Sequence, residues 1–357
     1  MNTIYIIAIL SSFIISVILV PLVIWFSKKN ELYDNIDKRK VHSGKVSRLG
    51  GIAFTTAFCI SLILIKCFNG FVELRQNILF LIPAALLISF MGIIDDIRNM
   101  KANKKLIIQC VAAIIVLFGD FRFTKLTLGS LNFSLEFGIF SYPITFLWIV
   151  GVINAMNLID GIDGQAGMLT VIITLSYAFF FWDYGNLPAV IICFCLVAAV
   201  TGFLIYNLPL PKARIFMGDG GSQFLGFCLA VLPLLSSEQG SATIALPYAT
   251  ALLSIPIADI IATVWRRVRE HRRINSPDKF HLHHKLMMMG FSSKGALIIV
   301  CILQCVISIF MCCAMIYGGI TALMLLIAVI TMICLFFSII HFQKLNIVNN
   351  RINYNDE

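Results

Sequence analysis

Apolar runs close to the roughly 20 residues that a helix needs to cross a bilayer recur from one end of this chain to the other. Eleven are read: 3–26, 50–68, 77–94, 106–119, 141–158, 167–182, 188–207, 222–237, 244–265, 295–317 and 320–341, of which 106–119 and 222–237 are short. A water-soluble fold cannot hide that much apolar surface. Only 13% of the residues are charged and 59% are hydrophobic, whereas soluble domains carry about 25% charged residues. The expected class is an all-α polytopic integral membrane protein with about eleven transmembrane helices. The first run starts almost at Met1 without a basic segment before it and is too long for a signal-peptide core, so it reads as a retained helix. A single transmembrane domain is expected over 1–341, followed by a loose polar cytoplasmic tail over 342–357.

Charge orients these helices. Segments 27–49, 95–105, 159–166, 208–221, 266–294 and the C-terminal tail hold 23 of the 27 Lys and Arg. Positive charge marks the cytoplasm, so the N-terminus is expected outside and the C-terminus inside. The net charge of +9 is then mainly a topology signal. It implies no nucleic-acid partner, because no basic soluble domain exists to bind one. The eleven Cys lie mostly within apolar runs with no C-x-x-C pair and read as small packing residues. Between 120 and 140, alternation around Gly129-Ser130 predicts a short outer β-hairpin.

The reactive residues crowd one interface. Asp95, Asp96, Asp160, Asp163 and Asp219 fall at the cytoplasmic ends of the runs or just beyond, together with His42, His281, His283 and His284. A transporter concentrates its carboxylates near the midplane, which argues against that class. A site at the interface suits an enzyme joining a water-soluble donor to a lipid acceptor.

Several clusters carry the chemistry. Asp95-Asp96 are adjacent carboxylates at a membrane edge, where one resists ionisation unless a cation is near; a solvated helix cap is the plainer alternative. Asn154, Asn157, Asp160 and Asp163 recur every third residue, a spacing that makes helical neighbours. Hard oxygen ligands of this kind suit Mg²⁺. Asp219 sits among glycines in FMGDGGS, read as a turn before a span where backbone N–H groups approach an anion. His281, His283 and His284 share a segment with Arg266 and other cations, which favours diphosphate binding over zinc. Asp259 is the one carboxylate inside a run, a candidate site residue by default, with a structural ion pair or buried hydrogen bond as the alternative. His42 and Arg48 stand in the basic first loop, and Lys105 closes the second. The candidate catalytic residues are therefore Asp95, Asp96, Asp160 and Asp163. Those for substrate binding are His42, Arg48, Lys105, Asn154, Asp259, Arg266, His281, His283 and His284.

Six blocks in order, RKVHSGKVSRLGG, GIIDDIRNMKANKKLIIQ, NAMNLIDGIDG, IFMGDGGS, PIADIIATVWRR and SPDKFHLHHKLMMMGF, resemble the polyprenyl-phosphate N-acetylhexosamine-1-phosphate transferase family. They run from residue 39 to 291. The resemblance implies a Mg²⁺-dependent enzyme, with Mn²⁺ as a substitute ion. It would move a sugar 1-phosphate, most simply GlcNAc 1-phosphate, from a UDP-sugar to undecaprenyl phosphate and release UMP. That is the first membrane step of a cell-envelope polysaccharide such as O-antigen, carried out at the cytoplasmic face of the inner membrane. It further implies Asn157 and Asp219 as metal ligands, Asp95-Asp96 as the family's aspartate pair and the histidine block as donor-phosphate contacts, and it leaves room for a homodimer. Lys45, Ser47 and Gln165 depart from the family's usual residues. The phospho-N-acetylmuramoyl-pentapeptide transferases are the alternative within the class, and a lipid-linked sugar transporter is the alternative outside it.

Overall fold

A computed structural model describes residues 3–32, 46–67, 79–98, 100–128, 133–208, 210, 212–235, 244–272 and 280–355, with 343–355 as backbone. The candidate His42, and Lys45 where the chain departs from the family, fall outside the described residues.

The chain is mostly helical, as the apolar runs predict. The helices are α1 (Thr3–Lys29), α2 (Gly50–Cys67), α3 (Leu81–Arg98), α4 (Ala102–Phe118), α5 (Ser141–Ile159), α6 (Gln165–Asp183), α7 (Leu187–Asn207), α8 (Gly218–Val231), α9 (Leu246–Leu252), α10 (Ser254–Arg269), α11 (Leu282–Met288), α12 (Ser293–Tyr317) and α13 (Gly319–Asn355). Each apolar run coincides with a helix or, for 244–265, with a bent pair. Among the described residues seven helices are long and apolar enough to cross a membrane, or up to eight with the bent pair counted as one span. The protein is thus a multi-pass membrane protein. α3, α4 and α8 fall short of that standard.

Local chemistry explains several boundaries. The Asn186 side chain accepts the Ala189 N–H at 3.2 Å, and Pro188 occupies the first turn of α7, a position that needs no donor. Ser292 caps α12 in the same way through the Gly295 N–H at 3.1 Å. The 78° break between α9 and α10 has an identifiable cause. Pro256 cannot donate to the carbonyl four residues back, at Leu252, and its ring crowds that carbonyl. The freed oxygen accepts instead from Gln304 Nε2 of α12 at 2.9 Å. The expected hairpin is present, as antiparallel β1 (Lys125–Leu128) and β2 (Phe133–Glu136) with Lys125 opposite Glu136. The backbone of 342–355 continues α13.

The organising element is α8. Every residue from Gly220 to Val231 is buried, and α2, α3, α5 and α6 pack around it. Such enclosure needs close backbone approach. At the α3–α8 crossing Gly92 meets Gly220 so closely that a Cβ on Gly92 would collide with the Gly220 Cα. Lower down, a Cβ on Gly226 would stand 2.7 Å from the Ile153 Cα of α5. Small residues let helix backbones approach in this way inside membranes.

Candidate active site

The first turn of α8 gathers residues from four other parts of the chain. α8 begins at Gly218, so Asp219 belongs to its opening turn rather than to a loop before it. The N–H groups read from the sequence as facing an anion are already taken. Asp96, at the end of α3, accepts the Asp219 N–H at 2.7 Å through Oδ1 and the Gly220 N–H at 3.1 Å through Oδ2. A carboxylate at a helix N-terminus meets unpaired donors and the positive end of the helix dipole. Asp96 therefore caps α8 from another helix.

Asp95 faces the other way and is 3% exposed. Its Oδ1 accepts the Met100 N–H at 2.7 Å, and Lys105 Nζ lies 2.5 Å from its Oδ2. The same ammonium lies 2.5 Å from Asp219 Oδ2, so Lys105 bridges the two carboxylates. Arg48 approaches the other oxygen of Asp219 at 3.9 Å. The strand-like segment around Arg48 is docked beside α8 by the Gly50 and Gly51 N–H groups, which donate to the Phe216 and Met217 carbonyls at 3.1 and 2.8 Å. Asn157, near the end of α5, joins through the Ser222 hydroxyl, which donates to its Oδ1 at 2.7 Å.

The expected stripe of four oxygen-bearing residues is broken. Asn154 and Asn157 lie on α5, but the helix ends at Ile159, and Asp160 and Asp163 occupy the connection to α6. Asn154 turns into the interior. It donates to Gln109 Oε1 at 2.6 Å, and Gln109 Nε2 donates to Gln223 Oε1 of α8 at 3.0 Å. Asp160 is half-buried. Burial, reinforced by the Asp219 and Asp163 carboxylates and opposed by Arg48, raises its pKa to about 7. Asn207 ties this connection to the approach to α8, accepting the Gly164 N–H and donating to the Ile215 carbonyl, each at 2.9 Å.

The histidine block closes over the same connection. The His283 ring rests on Gly161, where an added Cβ would overlap it. It stacks nearly parallel to His281, with centroids 6.1 Å apart, and tilts against His284 at 4.2 Å. Burial, together with the neighbouring His284 and His281, pushes its pKa down to about 3. It is neutral at physiological pH. Asp259 of α10 is enclosed, with both oxygens engaged by His281 and Leu282. Arg266 points back to the Phe280 carbonyl and ring.

Residues 78–237 match glycosyl transferase family 4. A Bacillus subtilis (strain 168) protein named "Probable undecaprenyl-phosphate N-acetylglucosaminyl 1-phosphate transferase" is 31% identical over 304 residues, covering 85% of this chain and 83% of that one. This chain belongs to the family. The undecaprenyl-phosphate alpha-N-acetylglucosaminyl 1-phosphate transferases of Escherichia coli (strain K12) and Yersinia pestis are 29% and 30% identical to it. Their matches cover 77% and 75% of this chain and 74% and 73% of the relatives. The matched family segment contains the aspartate pair, Lys105, Asn157, Asp160, Asp163 and Asp219.

Sequence reading gave no role to four residues that hydrogen bonds join to this candidate site: Gln109, Asn207, Ser222 and Gln223. The signal was there. Gln109 and Gln223 are amides inside apolar runs, and intramembrane polar groups need partners.

Proposed function

We propose that this enzyme transfers GlcNAc 1-phosphate from UDP-GlcNAc to undecaprenyl phosphate and releases UMP, beginning a cell-envelope polysaccharide. The observation that carries the reading is the Lys105 bridge between Asp95 and Asp219 beside Asn157. It brings cationic and oxygen-donor groups together at one end of a buried helix, where phosphates can be received. The relatives' names support the transferred N-acetylglucosaminyl 1-phosphate and the acceptor, and support the N-acetylglucosamine branch over the muramoyl-pentapeptide one. The reading includes eleven membrane passages in a single domain, with α8 crossing inside the bundle and α3 and α4 crossing at its side, where Leu86, Phe90, Ile107 and Phe118 are exposed. It also places the N-terminus outside and the site on the cytoplasmic face of the inner membrane, following the Lys/Arg asymmetry.

In the transfer, an oxygen of the acceptor phosphate bonds to the β-phosphorus of the donor. The bond from that phosphorus to the oxygen bridging to the α-phosphate breaks, and UMP leaves with the electron pair. Phosphoryl transfer relies chiefly on positioning and charge stabilisation. A phosphate monoester has a second pKa of about 6, so at neutral pH the nucleophile is already anionic. Asp95, enclosed and paired, then acts by holding Lys105 rather than as a base. Asp96 holds the start of α8 in place. Lys105 and Arg48 receive the phosphates.

Asn157 and Asp219 are joined through the Ser222 hydroxyl, which lies 2.7 Å from Asn157 Oδ1 and 3.3 Å from the Asp219 carbonyl oxygen. No group of three or more His, Cys, Asp or Glu able to hold a metal occurs among the described residues. A carboxylate and an amide fit Mg²⁺, or Mn²⁺, which keeps waters and takes substrate phosphate oxygens as further ligands. Bound there, the ion would neutralise charge on the diphosphate. Asp160 and Asp163 line the same connection and orient the donor together with the histidine block.

The decisive experiment incubates the purified full chain with undecaprenyl phosphate and a panel of UDP-sugars and follows UMP release. UDP-GlcNAc should give lipid product, and thorough chelation should abolish it. Product from the muramoyl-pentapeptide nucleotide alone would overturn the donor, and undiminished turnover under chelation would overturn the metal.

A further inference from the structure

Asp259 lies on α10 and is 1% exposed, and its two oxygens have different partners. Oδ2 lies 2.9 Å from His281 Nδ1, and Oδ1 accepts the Leu282 N–H at 2.8 Å. One turn along α10, the Thr263 hydroxyl lies 3.4 Å from the same Nδ1. Another turn on, Arg266 donates to the Phe280 carbonyl at 3.2 Å and covers the Phe280 ring at 5.4 Å. Positions 259, 263 and 266 form one stripe of the helix. All three hold residues 280–282, at the start of α11. Immediately beyond, His283 rests on Gly161, between Asp160 and Asp163. A carboxylate removed from solvent is costly unless it is paired and hydrogen-bonded, and here both conditions are met by a single imidazole and a single backbone N–H. Both oxygens are engaged within the protein, which matches the buried hydrogen-bonded alternative for Asp259 rather than substrate contact.

We infer that Asp259 is a positioning residue. It acts through His281 and the start of α11 to hold the histidine block against the Asp160–Asp163 connection. With Nδ1 committed to Asp259, Nε2 is the nitrogen that His281 has left for other contacts. The pair thus fixes both the ring's orientation and its useful face, as carboxylate partners do for metal-bound histidines. The kinetic consequence rests on the transferase reading; the structural one does not.

Asp259→Asn retains an acceptor but turns an amide NH₂ toward Nδ1 or the Leu282 N–H. In the purified full chain, kcat/KM for UDP-GlcNAc should fall about 10- to 100-fold, the range typical of lost partners of this kind, with the KM for undecaprenyl phosphate unchanged. Asp259→Asn added to His281→Gln should cost nothing further, because two residues acting as one unit are not additive. Losses that multiply would overturn the inference, since Asp259 would then act without His281. Hydrogen exchange needs no substrate: in Asp259→Asn it should accelerate over 282–288 and stay unchanged over 218–231. Unchanged exchange over 282–288 also overturns it. If Asp259→Asn fails to insert, Thr263→Val should move kcat/KM and exchange the same way by less, and no movement in either defeats the proposal. A wild-type chain that releases no UMP counts against the transferase reading alone and leaves exchange to decide.

Discussion

α8 and α13 are both read from apolar runs, yet they do opposite work. α13 presents Ile320, Met324, Ile327, Ile330, Leu335 and Ile339 outward, all more than half exposed, as a helix facing lipid does. α8 exposes nothing beyond its first two residues and carries Asp219, Ser222 and Gln223 into the bundle. The strongest hydropathy therefore marks the helices that are least enclosed. The helix that builds the site is short and glycine-rich, because enclosure by four neighbours requires small residues and leaves little room for a long apolar face.

The contrast is broken most severely at the head of α8. Asp219→Ala removes the carboxylate shared by Lys105 and Arg48 and should lower turnover by at least about a hundred- to a thousand-fold, as for other preorganised electrostatic groups. The protein should still insert, since the outer helices are untouched. Near wild-type UMP release from a well-expressed variant would remove Asp219 from the site.

A smaller effect tests the packing itself. Gly92→Ala places a methyl group against the Gly220 backbone, which cannot turn aside as a side chain would. Overpacking of this kind destabilises by about 1–3 kcal/mol, and activity should fall with it as the α8 turn shifts. Gly151, on the exposed side of α5, has nothing within 4 Å of an added Cβ. Gly151→Ala should be neutral or stabilising by up to about 1 kcal/mol. Thermal unfolding in detergent reads both, and equal shifts would deny the close α3–α8 approach.

Helix positions were legible because apolar length is a property of each run by itself. The hairpin was legible from local alternation. Residues that the fold brings together were legible too: the aspartate pair, Asn157 and Asp219, singled out in the sequence, meet around the first turn of α8. Their partners were not, because partnership depends on contacts between distant segments. Nothing local says that Asp96 caps a helix starting 122 residues later, or that Asn154 turns inward to Gln109. The bend at 253 was the exception. Pro256 announced it, yet run length masked the signal.

Acid sharpens the role of α11. His283 has a folded pKa of about 3, below the roughly 6.5 of an unfolded histidine. The unfolded state therefore binds a proton that the folded state refuses as pH falls below about 6.5, and stability declines from there towards about 3. His283→Asn lacks this proton site. Its stability loss between pH 7.5 and 5, read by thermal unfolding, should be smaller than that of wild type, and an identical loss would mean that His283 is not enclosed against Gly161 in solution.

The smallest effect is expected at Asp183, the last residue of α6. Its side chain is exposed, at the opposite end of α6 from Asp160 and Asp163, and it has no part in the Lys105 bridge or in the Gly161–His283 contact. A solvent-facing carboxylate without a buried partner contributes little, and surface substitutions of this kind usually stay within about 0.5 kcal/mol. Asp183→Ala should therefore leave UMP release and unfolding temperature near wild type. It is a useful counterpart to Asp219→Ala, because both remove one carboxylate from one end of a helix. If carboxylate loss anywhere on this cationic chain impaired activity through net charge alone, the two variants would resemble each other. If the α8 turn is what matters, only Asp219→Ala loses turnover.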